Sequence, residues 1–208
     1  FDAAIRTDGG LFTWGLNTNG QLGQGDLVHR SSPVQVGTSS WSSVSAGNAY
    51  TAAIRIGGGL FTWGFNSGGQ LGDGTTTARS SPVQVGTSSW SSVASGSSHT
   101  AAIRTDSALF TWGHNAGGQQ GLGDTVHRSS PVQVGTSSWS SVSAGLTYTA
   151  AIRTGSALFT WGFNTIGTLG DGTLISRSSP VQIFSQFAKD RKSTRLNSSH
   201  IPLSRMPS

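Results

Sequence analysis

The side chains that could bind a metal or catalyse a reaction are few, and they recur at a fixed spacing. His29 follows Asp26 by three residues, and His127 follows Asp124 in the same way. Aspartate and histidine are both zinc ligands, but two ligands in each segment make a weak site. We therefore interpret the four residues as two solvated loop pairs, with contact to a partner as their alternative role.

Other catalytic arrangements are missing from the sequence. The chain contains no cysteine and no glutamate, and its serines do not form the Gly-x-Ser-x-Gly turn of a nucleophilic hydrolase. Its glycine-rich segments lack the lysine of a phosphate-binding loop. No run of 18 apolar residues occurs, which excludes a transmembrane helix. The sequence therefore predicts a protein that is not an enzyme and needs no metal or cofactor.

Arginine occupies two regularly spaced sets of positions. The first set follows an apolar segment, and the second set precedes Ser-Ser-Pro. The first comprises Arg6, Arg55, Arg104 and Arg153, and the second comprises Arg30, Arg79, Arg128 and Arg177. A ring of guanidinium groups could grip phosphates or an acidic partner. Because every repeat has both arginines, we favour a structural role and keep the second set as candidates for anion contact.

The positions of the arginines follow from a repeat of 49 residues. Trp14, Trp63, Trp112 and Trp161 lie 49 residues apart, and so do the prolines from Pro33 to Pro180. Phased on Gly-Thr-Ser-Ser-Trp, complete repeats span 37–85, 86–134 and 135–183, after a partial repeat over 1–36. A fixed period of this length is typical of solenoids and propellers.

Each repeat contains four short segments of strand type. In the second they are 42–47, 51–55, 60–63 and 82–85, bounded by Gly, Asn, Ser or Pro. The first two carry small residues and the third carries Phe61 and Trp63. Blades arranged around an axis are crowded at the hub and open at the rim, so this taper favours a propeller over a β-helix. The predicted fold is all-β, a propeller of four-stranded antiparallel blades.

The motif Trp-Gly-x-Asn-x-x-Gly-Gln-Leu-Gly-x-Gly resembles that of a known family. It stands at 14–25 and 63–74, each time after an aliphatic and aromatic strand. With the segments Val-Ser-Ala-Gly, Thr-Ala-Ala-Ile and Pro-Val-Gln-Val, the sequence is similar to the regulator of chromosome condensation repeat family. The short, nearly identical repeats look like bacterial or phage versions.

The resemblance implies a seven-bladed propeller and a habit of binding partners, but no single activity. About 3.7 repeats are present, so we expect an open partial ring that is a fragment of a longer protein. Open blade faces predict self-association. A protein partner is the expected ligand, and nucleic acid is not. Nucleotide exchange on a small GTPase and a structural role in a cell surface or virion are the alternative functions.

The C-terminal segment does not continue the repeat. The repeat stops after Ile183, and from Asp190 the sequence reads DRKSTRLNSSH, which a translated short-read sequencing adapter would encode. We expect 184–208 to be a non-repeat tail and 190–208 to be adapter-derived and disordered. Without 190–208 the formal net charge falls from +5 to +2, which weakens the argument for a nucleic-acid partner.

Differences between the repeats collect on one side of the predicted disc. Antiparallel strands place the turn after the first strand and the long segment between the third and fourth strands on the same side. The link Gly-Thr-Ser-Ser, on the other side, is identical three times. Variable loops on a rigid scaffold are the usual geometry of a recognition surface. The candidate contact residues there are Asn48, Phe65, Ser97, His114, Leu146 and Phe163, together with Asp26, His29, Asp124 and His127.

Overall fold

The computed structural model describes residues 1–184 as twelve β-strands without a helix. The strands are β1 (Asp2–Ile5), β2 (Gly10–Gly15), β3 (Arg30–Ala46), β4 (Tyr50–Arg55), β5 (Gly59–Gly64), β6 (Arg79–Ser95), β7 (His99–Arg104), β8 (Ala108–Gly113), β9 (Arg128–Ala144), β10 (Tyr148–Arg153), β11 (Leu158–Gly162) and β12 (Arg177–Phe184). Each strand pairs antiparallel with the next along the chain. The tail predicted over 184–208 lies, from residue 185 onward, outside the described residues.

The twelve strands form four blades that share their long strands. Residues 34 and 35 of β3 pair with β2, whereas residues 43–46 of the same strand pair with β4. β6 and β9 divide in the same way. The last three blades therefore have four strands each, and the first has three. The fold is an open all-β propeller, as the repeat predicted.

The link Gly-Thr-Ser-Ser differs from the prediction. It was expected to separate two strands, but it belongs to a single strand, β3, which is 17 residues long and has a local irregularity at the link. Gly37 turns the backbone with a φ of 59°, a conformation that glycine adopts readily. Ser40 still pairs with Gly10 beyond this turn. The link is thus part of the strand that joins two blades.

The hydrophobic core lies between neighbouring blades. One cluster joins Leu11 and Val36 of the first blade to Trp41, Phe61 and Trp63 on the second. The ring of Trp41 meets Phe61 edge-on at 5.7 Å and Trp63 at 5.8 Å between centroids, an arrangement that aromatic pairs favour. Two further clusters repeat these contacts. Each blade is thus held by burial against the next one.

Small residues let the inner strands approach closely. Ala52 and Ala53 on β4, and Ala101 and Ala102 on β7, are fully buried.

No helix among residues 1–184 has the length and apolarity to cross a membrane.

Candidate partner-binding face

Two sets of loops lie together on one side of the propeller, which we name the loop face. The hub turns are 47–49, 96–98 and 145–147, and the long loops are 16–29, 65–78, 114–127 and 163–176. Backbone hydrogen bonds join the sets, from Phe65 N to Ala49 O at 2.9 Å and from His114 N to Ser98 O at 2.8 Å. Each long loop therefore starts from a fixed position beside a hub turn.

A buried asparagine holds each long loop in shape. The side-chain oxygen of Asn66 accepts a hydrogen bond from Leu71 N at 3.0 Å, and its amide donates to the carbonyl oxygens of Thr75 and Thr77 at 3.1 and 3.0 Å. Asn17, Asn115 and Asn164 make the corresponding bonds, and all four are fully buried. We call this buried Asn of the repeat motif the asparagine bracket. It bonds only within the loop, so the exposed surface is formed by other loop residues.

A backbone carbonyl joins each long loop to the following blade. Gln70 O accepts hydrogen bonds from Thr100 Oγ1 at 2.8 Å and from Trp112 Nε1 at 3.0 Å, both buried. Gln21 and Gln119 serve the neighbouring interfaces in the same way. This contact fixes the spacing of successive loops around the loop face.

The arginines before Ser-Ser-Pro are paired within their own loops. Arg30 contacts Asp26 at 2.6 Å, and Arg128 contacts Asp124 at 2.8 Å. In the other two repeats the carboxylate stands two positions earlier in the repeat, and Arg79 meets Asp73 and Arg177 meets Asp171 at 2.9 and 2.8 Å. Sequence reasoning missed Asp73 and Asp171, because it compared equivalent positions only. All four arginines of this set are neutralised by the chain itself.

Hydrogen bonds to these carboxylates lower their pKa values. At Asp171 the bonds from Arg177 and Thr173 outweigh burial and bring the pKa to about 2. At Asp124 the largest cause of a lowered pKa is the bond from Arg128, followed by the Val126 amide. These acids are therefore ionised at neutral pH and serve as internal counter-ions.

The histidines also bond within the loops. His29 Nδ1 accepts a hydrogen bond from Asn17 N at 3.0 Å, and His127 Nδ1 accepts one from Asn115 N at 2.9 Å. The rings of His114 and His127 lie 4.3 Å apart. Burial, and then the charge of His127, lower the pKa of His114. Among residues 1–184 no three His, Cys, Asp or Glu side chains come together as a metal site.

Exposed apolar side chains are concentrated on the loop face. Phe65 is 37% exposed, Phe163 is 42% exposed and Leu146 is 74% exposed. The other large apolar side chains exposed there are Leu16, Leu27, Val28, Val126, Ile166, Leu174 and Ile175. Among the residues whose exposure is described, 1–183, only Ile56 is exposed to this degree elsewhere. The loop face therefore carries most of the large exposed apolar side chains of the described residues.

The hub turns enclose a shallow cavity at the centre of this face. It has a volume of about 310 Å³ and is lined by Asn48, Ser97 and Leu146 with the glycines and small residues beside them. Ser97 N donates a hydrogen bond to Leu146 O at 3.2 Å, between two neighbouring blades. The structure therefore brings the three hub candidates together, whereas Phe65, His114 and Phe163 lie at the start of successive long loops.

Comparison with known proteins agrees with this geometry. The sequence model of the regulator of chromosome condensation (RCC1) repeat matches residues 8–54, 57–103, 106–152 and 156–196, and a second model of this repeat matches 90–119. No curated protein sequence matches significantly.

Two solved propellers illustrate the similarity of fold. Human WBSCR16 is 25% identical, with a TM-score of 0.79 over 88% of this chain and 50% of that one. Prp20p of Saccharomyces cerevisiae, studied for its binding to Gsp1p and histones, is 20% identical, with a TM-score of 0.79 over 88% of this chain and 48% of that one. The chain spans about half the length of these structures. With four successive matches to the repeat model that together cover most of its length, the chain belongs to the regulator of chromosome condensation repeat family.

Proposed function

We propose that this chain is part of a non-enzymatic propeller that binds a protein partner through the loop face. The observation that carries the proposal is the concentration of exposed apolar side chains on that face. The asparagine brackets and the paired arginines hold the loops in one conformation, so little order has to be gained on binding. Protein interfaces favour aromatic anchors within a polar rim, and Phe65 and Phe163 have this character.

The loop candidates have different roles in this proposal. Phe65, Phe163 and Leu146 are exposed enough to serve as anchors. Asn48, Ser97 and His114 supply polar contacts beside them. Asp26, His29, Asp124 and His127 shape the loops through the bonds described above and border the contact surface, as do the arginines of the second set.

Selection of ligands from a displayed peptide library tests this proposal. Peptides that bind the wild-type chain are assayed against a variant with Phe65, His114 and Phe163 all changed to Ala. We expect at least a tenfold loss of affinity, which corresponds to about 1.4 kcal/mol. The matched control changes three exposed residues of the links, Thr38, Thr87 and Thr136, to Ala. Equal losses in the two variants would contradict the proposal.

Nucleotide exchange on a small GTPase is the second candidate, and it is supported by membership of the family. A scaffold that only binds leaves nucleotide release from the GTPase unchanged, whereas an exchange factor accelerates it. Release of a fluorescent GDP analogue from the GTPase, measured with and without this chain, separates the two functions.

A further inference from the structure

The arginines at the ends of the second strands divide into two pairs with different surroundings. Arg6 and Arg104 are followed two residues later by Asp8 and Asp106, and each donates from its Nε to that carboxylate at 2.9 Å. These arginines hold the pKa of both carboxyl groups at about 2. This position of the repeat therefore places a guanidinium group where a carboxylate two residues later in the chain pairs with it.

The other pair lacks this partner. Gly57 and Gly155 stand where the first and third repeats have aspartate, and a Cβ built on either glycine would meet nothing within 4 Å. The Nε atoms of Arg55 and Arg153 are buried and have no hydrogen-bond partner among residues 1–184. The same donor is thus satisfied in two repeats and unsatisfied in the other two.

The two kinds of arginine also differ in their distance from the neighbouring aromatic rings. Arg55 lies 3.9 Å above the ring of Phe61 and 5.1 Å above that of Trp41, and Arg153 stacks on its two rings at 4.0 and 5.1 Å. Arg104 lies farther from its phenylalanine, at 4.9 Å. In the repeats without the aspartate, the guanidinium group therefore lies closer to the phenylalanine ring, beside the groove between two blades.

The grooves themselves carry alternating charge. Those lined by Arg55 with Trp41, and by Arg153 with Trp139, have a volume of about 320 Å³ each and no acidic side chain in their lining. The groove between them is lined by Asp73, and Arg104 does not line it. The indole nitrogens of Trp41, Trp90 and Trp139 are all buried without a partner among the described residues, so the arginine Nε, and not the indole, distinguishes the two basic grooves from the groove between them.

We propose that the grooves at Arg55 and Arg153 bind a carboxylate from outside the chain, which takes the place that Asp8 and Asp106 fill in the other repeats. A guanidinium group offers a planar fork that fits a carboxylate with two hydrogen bonds. Stacking on two rings holds this fork in place before the ligand arrives. The two arginines lie at the opposite ends of the strands from the hub turns, although residues 23–24 and 121–123 of the long loops also line the grooves. The inference rests on the contacts of the arginines and does not depend on the proposed function.

Titration of the full chain with sodium acetate, followed through the ¹H–¹⁵N resonances of the arginine Nε–H groups, tests the proposal. We expect the resonances of Arg55 and Arg153 to shift with a Kd on the order of 10 mM, so that both sites are close to saturation at about 100 mM acetate. Those of Arg6 and Arg104 should remain unchanged, which provides a control within the same molecule. No shift at about 100 mM acetate, equal shifts with sodium chloride, or equal shifts at all four arginines would overturn the proposal.

Two substitutions exchange the two kinds of repeat. Asp106→Gly reproduces the Gly-Ser turn of the fourth repeat, and it should make Arg104 respond to acetate. Gly57→Asp requires the turn to leave its φ of 102° for the negative φ that Asp8 has. In a folded variant it should weaken the binding of acetate at Arg55 by at least tenfold and leave the response of Arg153 as the internal control. If Arg104 stays silent in a folded Asp106→Gly variant, the missing aspartate is not what creates the site, and the proposal fails.

The source of the carboxylate is distinguished by a second ligand. A blocked peptide with one aspartate between glycines is compared with acetate in the same titration. Tighter binding of the peptide assigns the sites to acidic side chains of a protein, whereas equal or weaker binding assigns them to a small carboxylate.

Discussion

The asparagine bracket offers the sharpest test of how the loop face is built. In Asn66→Asp the shape of the side chain is kept, but the amide that donates to Thr75 O and Thr77 O becomes an oxygen. The new oxygen also faces the carboxylate of Asp73, to which the amide nitrogen now lies at 3.3 Å. One substitution therefore removes two part-buried hydrogen bonds to carbonyl oxygens and adds electrostatic repulsion.

The size of the effect follows from these contacts. Each of these part-buried hydrogen bonds contributes about 1 kcal/mol, and a charge introduced at the fully buried position of Asn66 beside acceptors adds the larger part of the cost. We expect the free energy of unfolding to fall by about 3–5 kcal/mol at pH 7. Because the surroundings favour the protonated form of the introduced carboxyl, its pKa in the folded state is raised. Its contribution is therefore least unfavourable at low pH, and the deficit relative to wild type should grow as the pH rises above about 4.

Urea unfolding followed by tryptophan fluorescence measures this loss, and hydrogen exchange at the Leu71 amide reports on the bracket itself. The matched control is Asn48→Asp, the same change at an exposed position, for which we expect a change within about 0.5 kcal/mol. A loss of less than about 1 kcal/mol for Asn66→Asp, or unchanged exchange at Leu71, would refute the idea that this side chain holds the loop.

Two further predictions concern the interior of the array. Burial, and then the charge of His114, lower the pKa of His99 to about 4 from 6.5. The contribution of His99 to the free energy of unfolding should therefore be fully present above pH 6.5 and fall by about 3 kcal/mol between pH 6.5 and 4. In His99→Tyr, which copies Tyr50 and Tyr148, this part of the pH dependence should vanish in urea titrations at several pH values. Gly72→Ala should lower the free energy of unfolding by about 2–4 kcal/mol, because its Cβ would lie 2.5 Å from Trp112 Nε1 at a φ of 71°. The control Gly86→Ala has a φ of 59° but open space around the Cβ, so a loss of only about 1 kcal/mol is expected there, and equal losses would show that crowding against the indole is unimportant.

The sequence allowed the blades to be predicted because side chains carry the repeat. Trp63 and its equivalents mark one strand in each blade, and the alanines mark the strands near the hub. These residues owe their spacing to packing between blades, which recurs every 49 residues. A periodic constraint of this kind is visible in a single sequence.

The sequence did not predict the contacts that join the loops, for two physical reasons. Gln21, Gln70 and Gln119 accept hydrogen bonds through their backbone carbonyls, and a backbone acceptor places no demand on side-chain identity. The carboxylate that neutralises the arginine of each long loop alternates between two positions, because Asp26 and Asp73 reach the same guanidinium position from different points on the loop. Comparison of equivalent positions finds only half of such pairs.

Variation between repeats indicated the candidate contact residues. It did not predict the individual role of each one. Exposure separates Phe65 and Leu146 from the half-buried Ser97, and exposure depends on how the loops fold back on the hub. A sequence pattern does not contain this information.

The three 17-residue strands also bear on how an array of this kind gains or loses blades in evolution. Because each strand passes from one sheet into the next, a deletion of 49 residues that starts anywhere in the array joins two equivalent points and leaves every interior sheet with four strands. Recombination between nearly identical repeats therefore requires no special breakpoint. The number of blades can change by single units while the hydrogen-bonded register of the survivors is preserved.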